Sequence, residues 1–237
     1  MSDRLRVLAV GCHPDDLEIL CGGTLARYAS AGHAVVMAVV ANGDKGHFEI
    51  PSDQLARIRH EEFRASAGVI GAETIYVGVP DGQVYPDHKT RCKLIEVVRQ
   101  ARPDLVITHD PNDYFGDHTT VSHLVCDASY LGAAPLFKGK QPAIRSVPPV
   151  FFMDTVMGVR FDPEHYVDIS DTMETKLEML AKHQTQLTWL HQHDGVDILG
   201  NVRTVARFRG LQCGVEYAEA FRTHAVWGRQ ATRRLLP

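Results

Sequence analysis

No apolar run in this chain approaches the roughly 20 residues needed to cross a bilayer, so no membrane span is expected. A basic stripe and blocks of like charge are also missing. The formal net charge is -4, which argues against nucleic acid or anionic lipid as a partner and leaves a small molecule. There is no CxxC pair, and the five cysteines (Cys12, Cys21, Cys92, Cys126, Cys213) are odd in number and scattered. That pattern speaks against a thiolate zinc site or a disulfide framework and predicts reduced thiols. No Pro/Gly/Ser-rich linker, internal repeat or low-complexity tract divides the 237 residues, so a single domain over 1–237 is expected. Met1-Ser2-Asp3-Arg4 leads into the first apolar run without a signal-peptide core, and a cytoplasmic protein is the expectation. No GxGxxG follows that run, which disfavours nicotinamide binding.

What the chain does hold is a regular alternation of apolar runs and helical patterns. The run Val7-Leu8-Ala9-Val10 reads as a buried strand, and 17–30 as a helix interrupted by Gly22-Gly23, a pair that allows close packing. A second strand is expected over 34–41, ending in the polar turn Asn42-Gly43-Asp44-Lys45-Gly46-His47. Ser52 is placed to cap a helix that runs to about Ile70 and stops at Gly71. A strand over 74–79, the turn Pro80-Asp81-Gly82, a helix over 89–101, a strand over 104–108 and a helix over 119–131 follow. After a proline-punctuated segment come a strand over 150–154 and a long amphipathic helix capped by Asp171 or Thr172 and reaching Leu190. Tyr217 to Phe221 then leads into a final helix or strand. The order βαβαβαβ predicts an α/β, Rossmann-like fold, a mostly parallel sheet with helices on both faces.

Two of the predicted strands end in polar clusters. The first ends in Gly11-Cys12-His13-Pro14-Asp15-Asp16, the fourth in His109-Asp110-Pro111-Asn112-Asp113-Tyr114-Phe115-Gly116-Asp117-His118. In an open parallel sheet the ligand crevice lies past the carboxyl ends of the strands, so the two clusters can converge. A catalytic zinc takes three protein ligands and keeps a position open for water. His13, Asp16 and His118 supply such a set; Asp15 is then free to act as a base, and Asp117 is placed to orient the His118 ring. Plainer readings stand beside these: His-Pro-Asp-Asp as a turn with a capping aspartate, and His118 as a hydrogen-bonded structural histidine.

The run His13-Pro14-Asp15-Asp16-Leu17-Glu18, then Gly22-Gly23-Thr24-Leu25 and Asn42-Gly43-Asp44-Lys45-Gly46, resembles the PIG-L (LmbE-like) zinc-dependent N-deacetylases. Arg59-His60-Glu61-Glu62, Pro111-Asn112-Asp113-Tyr114 through Asp117-His118, His183-Gln184-Thr185-Gln186 and Gly214 through Phe221 extend the resemblance over nearly the whole chain. It implies one Zn2+ held by His13, Asp16 and His118, with Asp15 as general base. The reaction implied is hydrolysis of an N-acetyl group on a small, glucosamine-containing substrate. Arg59 matches a family arginine associated with substrate, although an ion pair with Glu62 on the same helix face would also account for it. One departure stands out: the family commonly has His-Pro-Asp-His where this chain has Phe115-Gly116-Asp117-His118. The first histidine of that motif is credited with the oxyanion or the leaving group, and Phe115 can donate no proton. Tyr114, Asn112, His123 and, foremost, His183 are the residues to which that role could have moved.

The leading expectation is therefore a metal-dependent N-deacetylase. A catalytically impaired, metal-retaining sugar- or amide-binding protein is the alternative that Phe115 motivates, and a non-haem iron enzyme is a third, because two histidines and a carboxylate also make a facial triad. The loops at 46–52, 82–89 and 132–149 are expected to shape the substrate pocket, and 131–149 reads equally as a lid or as a contact in a homo-oligomer.

Overall fold

The computed structural model describes residues 4–227 and 234–237, so Met1-Ser2-Asp3, on which the cytoplasmic reading leans, lies outside the described residues. Side chains alternate across a strand, and in β1 (Arg6–Gly11) Val7 and Ala9 enter one apolar layer while Leu8 and Val10 enter another, all fully buried. A strand that is apolar at every position belongs in a sheet covered on both faces. That sheet has seven strands in the order β3-β2-β1-β4-β5-β7-β6. β1, β2 (Ala34–Ala41), β3 (Glu73–Val79), β4 (Leu105–Thr108) and β5 (Val150–Met153) run parallel, and β7 (Ala218–Thr223) is antiparallel to both β5 and β6 (His165–Asp168). On one face pack α1 (Asp16–Ser30), α2 (Ser52–Val69), α5 (Met173–Ala181) and α7 (Ile198–Cys213), through Leu17, Phe63, Met179 and Val202. On the other lie α3 (His88–Ala101) and α4 (Gly116–Leu131), through Leu94, Ile95, Val121 and Leu124. The Rossmann-like expectation is met. The chain winds outward from β1 to β3, then returns to the other side of β1 with β4, so the strand order reverses between β1 and β4. Both polar clusters follow those two strands, at the switch point where such sheets bind ligands.

The second half departs from the sequence reading in three ways. The long helix expected through Leu190 is two helices, α5 and α6 (Gln184–Asp194), broken at Lys182-His183. Thr172 occupies the N-cap position of α5 as expected, but its side chain makes no capping hydrogen bond; Oγ1 instead donates to the Gly23 carbonyl at 2.9 Å. Strand β6 and helix α7 were not foreseen. Likewise Ser52 is the first residue of α2 rather than its cap, and its hydroxyl accepts from Lys45 Nζ at 3.1 Å.

The Gly22-Gly23 pair in α1 has the expected packing role and a second one. A Cβ on Gly23 would lie 2.8 Å from the Ile169 side chain, so only glycine admits this approach. The amides of Gly23 and Thr24 donate to the two carboxylate oxygens of Glu219 at 2.9 and 2.7 Å, and the Ile19 carbonyl accepts from Lys176 Nζ at 2.8 Å. Lys176 and Glu219 are themselves paired, and both are buried. The ion pair thus stitches α1 to α5 and β7. Glu219→Ala, which leaves Lys176 buried without its anion, is expected to cost about 3–5 kcal/mol, read from urea or guanidinium unfolding.

Candidate metal centre and active site

Asp16 organises the cluster. Its Oδ2 accepts the backbone N–H groups of Cys12 at 3.0 Å and His13 at 2.6 Å, which folds the β1–α1 turn around the carboxylate and leaves Oδ1 toward the crevice. His118, on the first turn of α4, brings Nε2 to 3.3 Å from that Oδ1. Its other nitrogen, Nδ1, pairs with Asp113 Oδ2 at 2.9 Å. A carboxylate on Nδ1 fixes the tautomer and leaves the Nε2 lone pair for a cation, the usual arrangement of a metal-binding histidine. Asp113, not Asp117, performs this orientation. Asp117 instead faces His13, with Oδ2 3.5 Å from Nε2, while His13 Nδ1 is 3.5 Å from Asp16 Oδ2.

Two sets of potential ligand atoms, each within 4.8 Å of one another, share Asp16: Cys12 with His13, and His109 with His118. His109 follows β4 directly, and no sequence pattern assigns it a role. It is fully buried, stacked at 3.9 Å on His118, with Nε2 receiving the Cys12 N–H at 2.9 Å and lying 3.2 Å from Asp16 Oδ2. Contact with Oδ2 is shared with His13, so what sets His109 apart is that its Nε2 already accepts the Cys12 N–H. Burial and the neighbouring His118 push the His109 pKa down to about 4, so the ring is neutral. For His118 burial works in the same direction, but Asp16 and Asp113 outweigh it and raise the pKa to about 9. Burial would raise Asp16, yet the His118 and His109 rings hold it well below the ordinary carboxylate range.

The adjacent carboxylate is in the opposite state. Burial, followed by repulsion from Asp16, raises the Asp15 pKa to about 7, with His183, Arg59 and His13 opposing the rise. Asp15 occupies the N-cap position of α1 with φ 117°, yet its side chain makes no capping hydrogen bond. Such a conformation is strained for a residue with a Cβ and tends to persist where the surroundings enforce it, as at functional sites. The simple capping-aspartate reading of the turn is therefore not what forms.

Arg59 is buried in α2, and its charge favours the ionised form of Asp15. Its Nη2 donates to the Gly46 carbonyl at 2.8 Å, and a Cβ on Gly43 (φ +71°) would lie 2.4 Å from Arg59 Cδ and 3.3 Å from Pro14 Cγ. The alternative pairing with Glu62 does not form, because Glu62 accepts from the Thr185 amide and hydroxyl at 2.8 and 2.6 Å. His183, the N-cap residue of α6, is fully buried with Nε2 3.1 Å from Glu18 Oε1. Burial lowers its pKa, and Glu18, Asp15 and Glu62 more than offset that. The remaining candidates stand apart. Tyr114, 41% exposed, donates its hydroxyl to the Val156 carbonyl at 3.0 Å, while Asn112 and His123 are exposed. Phe115 packs 5.0 Å from the His118 ring and is 47% exposed, an apolar rim where a histidine was expected.

The donor set suits a divalent cation: one carboxylate oxygen left open, one imidazole nitrogen with its tautomer fixed from behind, and a second imidazole at the rim. The chain is 29% identical to the diacetylchitobiose deacetylase of Thermococcus kodakarensis over 93% of its own length and 84% of the relative's. Its fold matches the N,N'-diacetylchitobiose deacetylase of Pyrococcus horikoshii, solved with an inhibitor, with TM-score 0.81 and 26% identity over 93% of this chain and 84% of that one. A relative of different activity, the 4-oxalmesaconate hydratase of Pseudomonas putida, is 25% identical over 71% of this chain and 69% of its own. Residues 8–129, which run from within β1 to within α4 and include both polar clusters, match the family model PIG-L, GlcNAc-PI de-N-acetylase, and the chain belongs to that family.

Proposed function

We propose that this protein is a zinc-dependent hydrolase that removes an N-acetyl group from a small, glucosamine-containing molecule. The observation that carries this reading is the division of labour between two adjacent carboxylates. Asp16 accepts two backbone amides on Oδ2 and presents Oδ1 to His118, whereas the adjacent Asp15 is buried and its side chain makes no capping hydrogen bond. The relatives that act on acetylated chitobiose point the same way.

In this reading His13, Asp16 and His118 hold the cation. A bound zinc ion supplies Lewis acidity, favouring ionisation of water and polarising the acyl oxygen. Asp15 takes the proton of the attacking water as its oxygen bonds to the acyl carbon, then gives that proton to the nitrogen as the C–N bond breaks, leaving acetate and a free amine. A pKa near the working pH suits a group that must both accept and return a proton. Arg59 lines the crevice beside Asp15 and binds substrate. His183, buried against Glu18 and near enough to favour the ionised form of Asp15, acts as a positioning residue. Tyr114, packed on Phe115, and the exposed Asn112 meet substrate at the rim.

Asp113 tests the ligand assignment independently of turnover. Asp113→Ala removes the carboxylate behind His118 and is expected to weaken zinc affinity about 10–100-fold, measured by competition with a chromogenic chelator. An unchanged affinity would remove His118 from the ligand set.

A second reading follows from Phe115 and the hydratase relative. With no histidine at that position, the same water-activating centre could serve addition of water to a carbon–carbon double bond. Acetate release from N-acetylglucosamine oligomers by zinc-loaded protein supports the deacetylase reading. Loss of the ultraviolet absorbance of an unsaturated dicarboxylate, without acetate release, would support the hydratase. Ligand binding with neither reaction would mark the non-catalytic metal-retaining protein, and oxygen uptake the iron enzyme.

A further inference from the structure

The loop between β2 and α2 carries Phe48, 56% exposed, with its ring centroid 4.6 Å from that of Trp189 on α6. Trp189 stacks in turn on His193, one helical turn further on, at 4.2 Å and an interplanar angle of 17°. Phe48 also reaches His193 at 5.7 Å, so three rings form one half-open cluster on a helix that contributes no fully buried residue. Exposed apolar groups gathered in this way mark a surface that meets something.

The cluster is joined to the active site through one side chain. A Cβ on Gly46 would lie 3.5 Å from Trp189 Cδ1 and 3.0 Å from Arg59 Nη2, and Arg59 is the buried cation beside Asp15. The edge of the cluster is polar rather than oily: His193 Nδ1 and Asp194 Oδ1, both exposed, are 2.6 Å apart. Aromatic faces are weakly negative and pack against polarised C–H groups, and the polar edge offers partners to hydroxyls. A pyranose ring presents this combination, an apolar C–H face bordered by hydroxyls. A lipid chain does not.

We propose that Phe48, Trp189 and His193 form a saccharide subsite that stacks the sugar ring attached to the one being deacylated, and so selects a disaccharide over a monosaccharide. The proposal rests on the deacetylase reading, and its test includes a signal that needs no turnover. The chain has two tryptophans, so Trp227→Phe leaves Trp189 as the sole indole reporter. Titrating that protein with the β-1,4-linked dimer of N-acetylglucosamine is expected to shift Trp189 emission saturably, with the monomer giving a smaller change. Trp189→Ala should lower the dimer-over-monomer ratio of kcat/KM about tenfold through KM, and Trp189→Phe should restore most of it. No emission change with the dimer, an unaltered ratio in Trp189→Ala, or emission that responds to octanoate but not to sugar would overturn the subsite. Failure of the deacetylase reading would show separately, as no acetate from either sugar with the unmodified protein.

Discussion

Asp15→Asn is expected to lower acetate release by about 10²–10⁴-fold while the protein keeps its full complement of metal. Asparagine preserves the size of the side chain but cannot take a proton from water. It is also the appropriate probe of this backbone: residue 15 has φ 117°, and Asn tolerates left-handed conformations better than Ala does. A loss caused by misfolding is thereby avoided. The change should fall on kcat, with KM nearly constant, because the proton transfer belongs to the transition state. Full turnover in this variant would remove Asp15 from the mechanism.

His118→Ala is the second large effect, and of a different kind: bound metal and activity should disappear together. The ring supplies the nitrogen whose partner on the far side is Asp113, and it faces the open oxygen of Asp16. Circular dichroism must show the variant folded, since Asp113 loses its partner. His109→Gln is the informative contrast. His109 already takes the Cys12 N–H on Nε2, the nitrogen that lies nearest Asp16. Its replacement should leave metal bound, with a loss in affinity far smaller than that of His118→Ala. Metal loss in His109→Gln equal to that in His118→Ala would place His109 in the ligand set.

Much of this site was legible in the sequence because its residues stand where a strand stops. A fully apolar run followed at once by His13-Pro14-Asp15-Asp16 has one economical reading in a parallel sheet, and β4 repeats the pattern. The supporting residues were less visible. Asp113 lies five positions before His118 in a loop, and no periodicity singles it out over Asp117; the turn geometry decides which carboxylate reaches Nδ1. Glu219 lies within a recognised motif, but its bonds to Gly23 and Thr24 join residues nearly the whole chain apart. In the last third, the break between α5 and α6 is made by tertiary contacts of His183 with Glu18 and of Thr185 with Glu62, which override a continuous helical pattern. The aromatic cluster was hidden for the same reason, since Phe48 and Trp189 belong to distant segments and meet only when α6 folds over the β2–α2 loop.

In the proposed mechanism a single metal ion held at the β1–β4 switch point drives N-deacetylation. The decisive measurement titrates metal-free protein with zinc while following acetate released from N,N'-diacetylchitobiose. Acetate release should be absent without metal, rise with added zinc, and break at a single equivalent per chain. Acetate released at full rate by the metal-free protein, or no acetate at any zinc occupancy, would contradict it.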